Sequence, residues 1–339
     1  IDDLIIGAPF ASPNQYPVSP GRSYVVFGKN SKTDDNFPSI FRLSQLTASN
    51  GLKIIGNTSA RNPGFAVSSV GDVNNDGIDD VIVGIRLAST DDDCPLCIAS
   101  VIYGLKETSD ISFPPFILLS DLDGSNGFHI KAESAGDYAG RSVSGAGDIN
   151  GDGIEDFIIG AYAASPNGSF SGRSYVVFGK DTTNEGGFDN PLDLSQLNGS
   201  NGFTIDGEAS GDRAGRSVSD AGDINGDGLD DIIIGADGAE PNGVFSGRSY
   251  VVFGRDLVTQ NPFSSPFQLD TLDGSNGFKI DGENMYDRSG WSVGRLGDVN
   301  SDGIDDLIIG AVGASPNGIN SGSSYVLFGR NTATSGKFQ

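Results

Sequence analysis

Gly222-Asp223-Ile224-Asn225-Gly226-Asp227-Gly228-Leu229-Asp230-Asp231 is the stretch from which the rest of the chain can be read. It recurs as 71–80, 147–156 and 297–306, with copies beginning 76, 75 and 75 residues apart. Each copy reads Asp-x-Asn-x-Asp-Gly-x-x-Asp and runs straight into an apolar segment such as Ile232-Ile233-Ile234-Gly235. A calcium ion takes about six to eight oxygens, and a short loop supplies them only by folding around the ion. In this copy the expected ligands are Asp223, Asn225, Asp227, the carbonyl of Leu229, and Asp231. The same positions are Asp72, Asn74, Asp76, Ile78 and Asp80 in the first copy, and Asp148, Asn150, Asp152, Ile154 and Asp156 in the second. In the last copy they are Asp298, Asn300, Asp302, Ile304 and Asp306. Gly228 stands where the turn needs a backbone angle that other residues resist. Asp230 is expected to point away from the ion, because the chain there is becoming a strand. A plain polar turn uses the same residue types. Four copies in register favour a metal loop, and about four calcium ions.

Composition agrees with a repetitive all-β body. Fifty glycines and 37% hydrophobic residues in 339 suit many short strands joined by turns. The net charge of −24 arises from 45 acidic and 21 basic residues, and the four loops hold four acids each. Four divalent ions would reduce it to about −16. Such a surface disfavours nucleic acid and anionic membrane, which need clustered Lys and Arg. No run of eighteen apolar residues offers a membrane span. Ile1-Asp2-Asp3-Leu4-Ile5-Ile6-Gly7 matches Ile304-Asp305-Asp306-Leu307-Ile308-Ile309-Gly310, so the chain opens inside a fifth loop and reads as part of a larger protein. Cys94 and Cys97 lack the βαβ setting of a redox dithiol and the further ligands of a zinc site. A local disulfide is the favoured reading.

Each repeat reads as four strands. In the third unit these are 215–222, Asp231–Ala236, 248–254 and 278–281, with a short helical turn expected in the connection near 191–197 of the preceding unit. A unit of this kind cannot bury both faces of its sheet, so units must stack. Four-stranded sheets repeated radially make a β-propeller. The units fall at about 1–63, 64–138, 139–213, 214–288 and 289–339. They supply about five blades, the first without its inner strand and the last without its outer one.

These residues resemble the FG-GAP repeats that build the amino-terminal propeller of integrin α subunits and occur in many bacterial surface proteins. The carriers are the metal loops, the Gly-x-Ser-Val before them (140–143, 215–218 and 290–293) and the Ile-Gly-Ala after them. Ile6-Gly7-Ala8-Pro9 shows the family's Gly-Ala-Pro in full. The family's Phe before Gly is Ala139, Ala214 or Ser289 here, and the long repeat is nearest the bacterial branch. The resemblance implies calcium on one face, ligand binding by loops on the opposite face, and a propeller of more blades than this chain holds. On that opposite face the segments Ser59–Pro63 and 89–98 depart from their counterparts in other units, as binding loops do.

Arg22, Arg173 and Arg248 recur before the third strand and are expected to pair with local carboxylates. Arg141, Arg216 and Trp291 share a position on the inner strands, where packing between blades is favoured over ligand contact. Tyr175, Tyr250, Tyr325, Phe178, Phe253 and Phe328 are expected in the core. His129, the single histidine, is expected to face solvent. Every dense Asp cluster is a metal loop, which leaves little for acid–base catalysis and argues against an enzyme. Asn57, Asn167 and Asn198 open weak glycosylation sequons. The function expected is a calcium-binding extracellular or cell-surface propeller for adhesion or protein–protein interaction, its partner a protein or glycan on a cell surface or matrix. Two alternatives are a head-to-tail assembly by strand complementation at the incomplete end blades, and a carbohydrate-binding propeller.

Overall fold

The structure is a computed structural model and describes residues 2–11, 21–30, 37–56, 63–85, 96–106 and 114–338. The chain is nearly all β, arranged as five sheets in sequence order. The complete blades begin with an inner strand. In the second blade the strands are Pro63–Gly71, Asp80–Ile85, Cys97–Ile102 and Gly127–Lys131. In the third they are Ser142–Gly147, Asp156–Ala161, Arg173–Val177 and Gly202–Asp206, and in the fourth Ser217–Gly222, Asp231–Ala236, Arg248–Val252 and Gly277–Asp281. Successive strands pair antiparallel, with the metal loop joining the first to the second. The first blade holds Leu4–Ala8, Arg22–Val26 and Gly51–Ile55, and the fifth holds Ser289–Gly297, Asp306–Ala311 and Ser323–Leu327. These are the expected four-stranded propeller blades, three whole and two incomplete among the described residues.

The connection near 191–197 holds more than the helical turn expected there. Leu192–Asp193 is a two-residue strand, followed by a 3-10 turn at Leu194–Gln196. That strand pairs parallel with the outer strand of the preceding blade at Ile130 and Lys131. Ile117–Leu118 and Phe267–Gln268 do the same one blade earlier and one later. Each latch fastens a blade to its predecessor and covers an edge that would otherwise be open.

The core lies between blades rather than within one. One cluster joins Val70, Ile82, Val101 and Phe128 of the second blade to Phe157, Ile159 and Tyr175 of the third, and the next repeats the pattern between third and fourth. Phe128, Phe203 and Phe278 on the outer strands stack on Phe188, Phe263 and Phe338 from the following unit, at 4.6, 4.1 and 4.1 Å between centroids. The glycines of the repeat mark where backbones of neighbouring blades meet. A Cβ at Gly160 would stand 2.2 Å from the carbonyl oxygen of Gly215, and one at Gly235 2.1 Å from that of Gly290. Gly215 and Gly290 themselves have φ of +83° and +81°. No side chain fits, which explains both the Gly of Gly-x-Ser-Val and the Gly of Ile-Gly-Ala.

Tyr175, Tyr250, Phe178 and Phe253 are buried as expected. Phe328 is not: it is 55% exposed, because no sheet lies against that side of the fifth blade among the described residues. His129 is half-buried rather than solvent-facing, with Nδ1 and Ser100 Oγ in a hydrogen bond of 2.9 Å. Cys97 is buried and disulfide-bonded, while Cys94 lies outside the described residues. So do the divergent segments at 59–62 and 89–95 and the sequon at Asn57. Asn167 is tied by its amide to Gly207 O and Gln268 Oε1, and Asn198 is exposed.

Candidate metal centres and the opposite face

In the loop from Gly222 to Asp231, the carboxylate of Asp223 accepts the N–H groups of Gly226, Asp227 and Gly228 at 2.7, 3.0 and 2.8 Å. Asp227 accepts from Leu229 N–H at 3.0 Å. Gly228 has φ +91°, as the turn requires. Asp148 and Asp152 make the same contacts with 151–154, Asp72 and Asp76 with Asp76–Ile78, and Asp298 and Asp302 with Asp302–Ile304. The side-chain oxygens of Asn74, Asn150 and Asn300 accept the N–H two residues on. The loops thus wind the way their composition dictates, with the carboxylates turned inward to the backbone.

Position nine does something the pattern alone does not reveal. Asp80, Asp156, Asp231 and Asp306 are fully buried. Each accepts an N–H from the glycine that follows the third strand, Gly104, Gly179, Gly254 or Gly329, at 2.8–2.9 Å. This acid therefore ties the loop to its own sheet. Burial, helped by the charges of the other loop acids, pushes Asp80 up to about 8 and holds Asp156 and Asp231 well above the usual carboxylate range. Among the described residues no Lys or Arg forms a salt bridge with these three acids. Asp80 Oδ2 and Asn225 Oδ1 are buried and make no hydrogen bond. Among the described residues no three His, Cys, Asp or Glu side chains form a ready cage for a metal. Oxygens that accept one N–H keep a second lone pair. The donor set of carboxylates, a side-chain amide and backbone carbonyls is the one a hard cation takes, and the unpartnered buried oxygens fit such an ion.

The acid at position eight points away from the loop interior, and its target is the preceding blade. Asp230 Oδ2 accepts the Asp148 N–H at 3.0 Å, and Asp305 Oδ2 accepts the Asp223 N–H at 3.2 Å. Arg295 lies among these acids, 2.9 Å from Asp305 and 3.5 Å from Asp220. The carbonyls of Asn74, Asn150 and Asn225 accept N–H groups from Thr182, Leu257 and Thr332 of the following unit. Neighbouring blades thus grip the first three loops, whereas Val299 and Asn300 of the fourth are exposed.

Arg173 and Arg248 meet the expectation of structural pairing. Arg173 bonds Asp206 and Glu133, each at 2.6 Å, and Arg248 bonds Asp281 at 2.6 Å and Glu208 at 2.8 Å. Arg22 has Ile55 where these have an outer-strand Asp, and its Nε is buried without a hydrogen bond. Arg141 and Arg216 pack between blades as expected, and they do so against aromatic rings. Tyr162, Arg213, Asp237, Phe245 and Arg288 on this opposite face escaped the sequence reading. Their signal is positional: residues 138, 213 and 288 share one place in the repeat, as do 162, 237 and 312, yet their chemistry differs.

Radially repeated four-stranded sheets, each with an Asp/Asn loop between its first and second strands, define a β-propeller. The FG-GAP repeat family matches residues 139–177 and 215–252. The chain is 30% identical over 211 residues to integrin alpha-5 of Xenopus laevis, covering 57% of this chain and 17% of that protein. It is 32% identical over 187 residues to integrin alpha-PS5 of Drosophila melanogaster, covering 55% and 16%. It is also 28% identical over 219 residues to a phosphatidylinositol-glycan-specific phospholipase D of Dictyostelium discoideum, covering 63% and 22%. The chain carries FG-GAP repeats at 139–177 and 215–252 and is similar to integrin alpha chains, and it spans about a fifth or less of the length of these relatives.

Proposed function

We propose that this chain is a calcium-stabilised propeller of an extracellular or cell-surface protein, and that it serves adhesion or protein–protein interaction through the face opposite its metal loops. The observation that carries the reading is the wholly buried Asp at position nine, found in all four loops beneath an Asp-Asn-Asp set of oxygens. Asp72, Asn74, Asp76 and Asp80 with the Ile78 carbonyl, and their counterparts in the other loops, would hold the ions. A bound ion supplies the positive charge that the buried acids lack. The chain's own part is to fix the oxygens: backbone N–H groups orient the first and third acids, and the third strand's glycine holds the ninth. External calcium near 10⁻³ M suits loops whose extracellular versions bind at about 10⁻⁴–10⁻³ M. The role proposed is binding rather than catalysis, since the described histidine is engaged with Ser100 and the acids of the dense Asp clusters are committed to the loops.

Calorimetry with and without a calcium chelator tests this. An ion that binds only the folded state adds about 2.7 kcal/mol per site at a hundred times its Kd. The melting temperature is therefore expected to fall on chelation, with about four ions released. An unchanged melt, with calcium shown to be absent, overturns the metal reading.

A second reading rests on the fifth blade. Val299, Val326 and Phe328 are 54, 48 and 55% exposed, where Ile224, Val251 and Phe253 in the fourth blade are 0, 0 and 6%. A blade from another copy would cover them, giving head-to-tail assembly. Sedimentation across a concentration series decides: a monomer at the highest concentration removes this reading.

A further inference from the structure

Alternating guanidinium groups and aromatic rings cross the face opposite the metal loops. Arg141 lies over Phe65 and Tyr162, at 4.7 and 5.7 Å from the ring centroids. Arg216 lies over Tyr162 and Trp291, at 5.3 and 4.1 Å. Arg288 continues the run over Trp291 and Phe245, at 5.6 and 5.2 Å, and Arg213 ends it over Phe245 at 5.6 Å. The run reaches from the inner strand of the second blade to that of the fifth.

Its charge is unbalanced. Asp237, fully buried just past the second strand of the fourth blade, is the carboxylate that Arg213, Arg216 and Arg288 share. Arg288 Nη1 donates to its Oδ2 at 3.2 Å, and Arg213 Nη1 stands 3.6 Å from the same oxygen. Arg216 Nε is 3.9 Å from Oδ1, which makes no hydrogen bond. The nearby acids Asp212 and Asp287 are turned to their own loops, where they accept the N–H groups of Ala209 and Asn284. Burial, and after it the charge of Arg141, holds the Arg216 guanidinium below its ordinary range. Within a chain of net charge −24 the ladder thus gathers four arginines and one carboxylate that three of them share. Around it Tyr138, Phe170, Met285 and Tyr286 are exposed. Arg, Tyr, Trp and Met are the residue types enriched at the centres of protein interfaces.

Resting on the reading of this face as the binding face, we propose that the ladder around Asp237 docks an acidic segment of a protein partner. Carboxylates of that segment take the guanidinium N–H groups that Asp237 leaves over, since the planar fork of Arg matches a carboxylate. An acidic sugar fits less well, because the ladder's rings already have guanidinium groups over them and offer no free platform for a pyranose.

The test uses the whole 339-residue chain in calcium, with fluorescence anisotropy of a labelled poly-L-glutamate and polygalacturonate as competitor. Saturable binding that weakens with salt is expected. The double variant Arg213→Gln/Arg288→Gln should lose about tenfold or more in affinity, from charge-assisted hydrogen bonds. Asp237→Asn, which frees the arginines it now occupies, should bind more tightly, a gain that a merely structural role would not give. Arg255→Gln, far from the ladder over Phe263, should change nothing. Absence of binding, an unaffected double variant, weaker or equal binding by Asp237→Asn, or preference for polygalacturonate overturns the proposal. If the double variant fails to fold, Asp237→Asn and the competitor decide. A calcium-dependent melt without polyglutamate binding overturns the docking alone, whereas binding with a calcium-insensitive melt overturns the metal reading alone.

Discussion

On one face of the propeller four loops present Asp, Asn, Asp and a final Asp at the same positions; on the other, no two described blades present the same set. The third blade offers Tyr138, Arg141 and Tyr162 there, the fourth Arg213, Arg216 and Asp237, the fifth Arg288, Trp291 and Val312. Both faces bury lone carboxylates, but they treat them differently. The acids at position nine have no Lys or Arg in a salt bridge among the described residues, and an ion is proposed to sit above them. Asp237 has three arginines within 3.9 Å. The difference teaches that a strand register held by glycine contacts between blades leaves one end free for repetition and the other free for variation.

The comparison is most sharply broken at the loop floor. Asp231→Ala leaves the N–H of Gly254 buried without its acceptor and takes from the Ile224 N–H one of its two, the other being Gly222 O. About 3 kcal/mol or more is expected to be lost in urea unfolding, and more with calcium present than with chelator. A smaller effect separates the two kinds of recurrent arginine. Arg173→Ala strands the buried Asp206 and should cost about 2–3 kcal/mol, whereas Arg22→Ala, with Ile55 opposite, should cost under about 1 kcal/mol by the same measurement.

On the variable face, burial raises Asp212 from 3.8 to about 6. Between those values the folded state keeps a proton that the unfolded state has released. Its contribution to stability is complete below about pH 3.8 and is lost as the pH rises through about 6. Asp212→Asn should therefore gain about 1–2 kcal/mol at pH 7 and flatten this window in a pH series of denaturant midpoints, with or without calcium. The smallest effect distinguishes loops of the repeated face. Asn150→Ala should cost about 1 kcal/mol in the gripped second loop, and Asn300→Ala within about 0.5 kcal/mol in the exposed fourth. Calcium titration of the two variants should show the fourth loop to be the weakest site.

Much of the fold was legible from local chemistry. Asp-x-Asn-x-Asp-Gly announced each turn, and the apolar runs at Asp156–Ala161 and Asp231–Ala236 began and ended where strands were expected. The parallel latch at Leu192–Asp193 was not legible, because two residues carry no period and their partners, Ile130 and Lys131, lie 62 residues away. Phe328 misled because its sequence neighbours match those of Phe253, while burial depends on the sheet that lies alongside. Asp230 was rightly turned away from the loop interior, but its acceptor role toward Asp148 N–H spans 82 residues.

The sequence by itself determined the repeat, the loops and the blade, because hydrogen-bond capacity, backbone freedom at glycine and side-chain alternation act within a few residues. Only the tertiary structure decided which residues of different blades meet. The Arg216–Trp291 stack, the arginines around Asp237 and the buried floor of each loop exist because neighbouring backbones approach at Gly160 and Gly215 and at Gly235 and Gly290. That approach fixes the distances between side chains some 75 residues apart in sequence, and no local rule contains it.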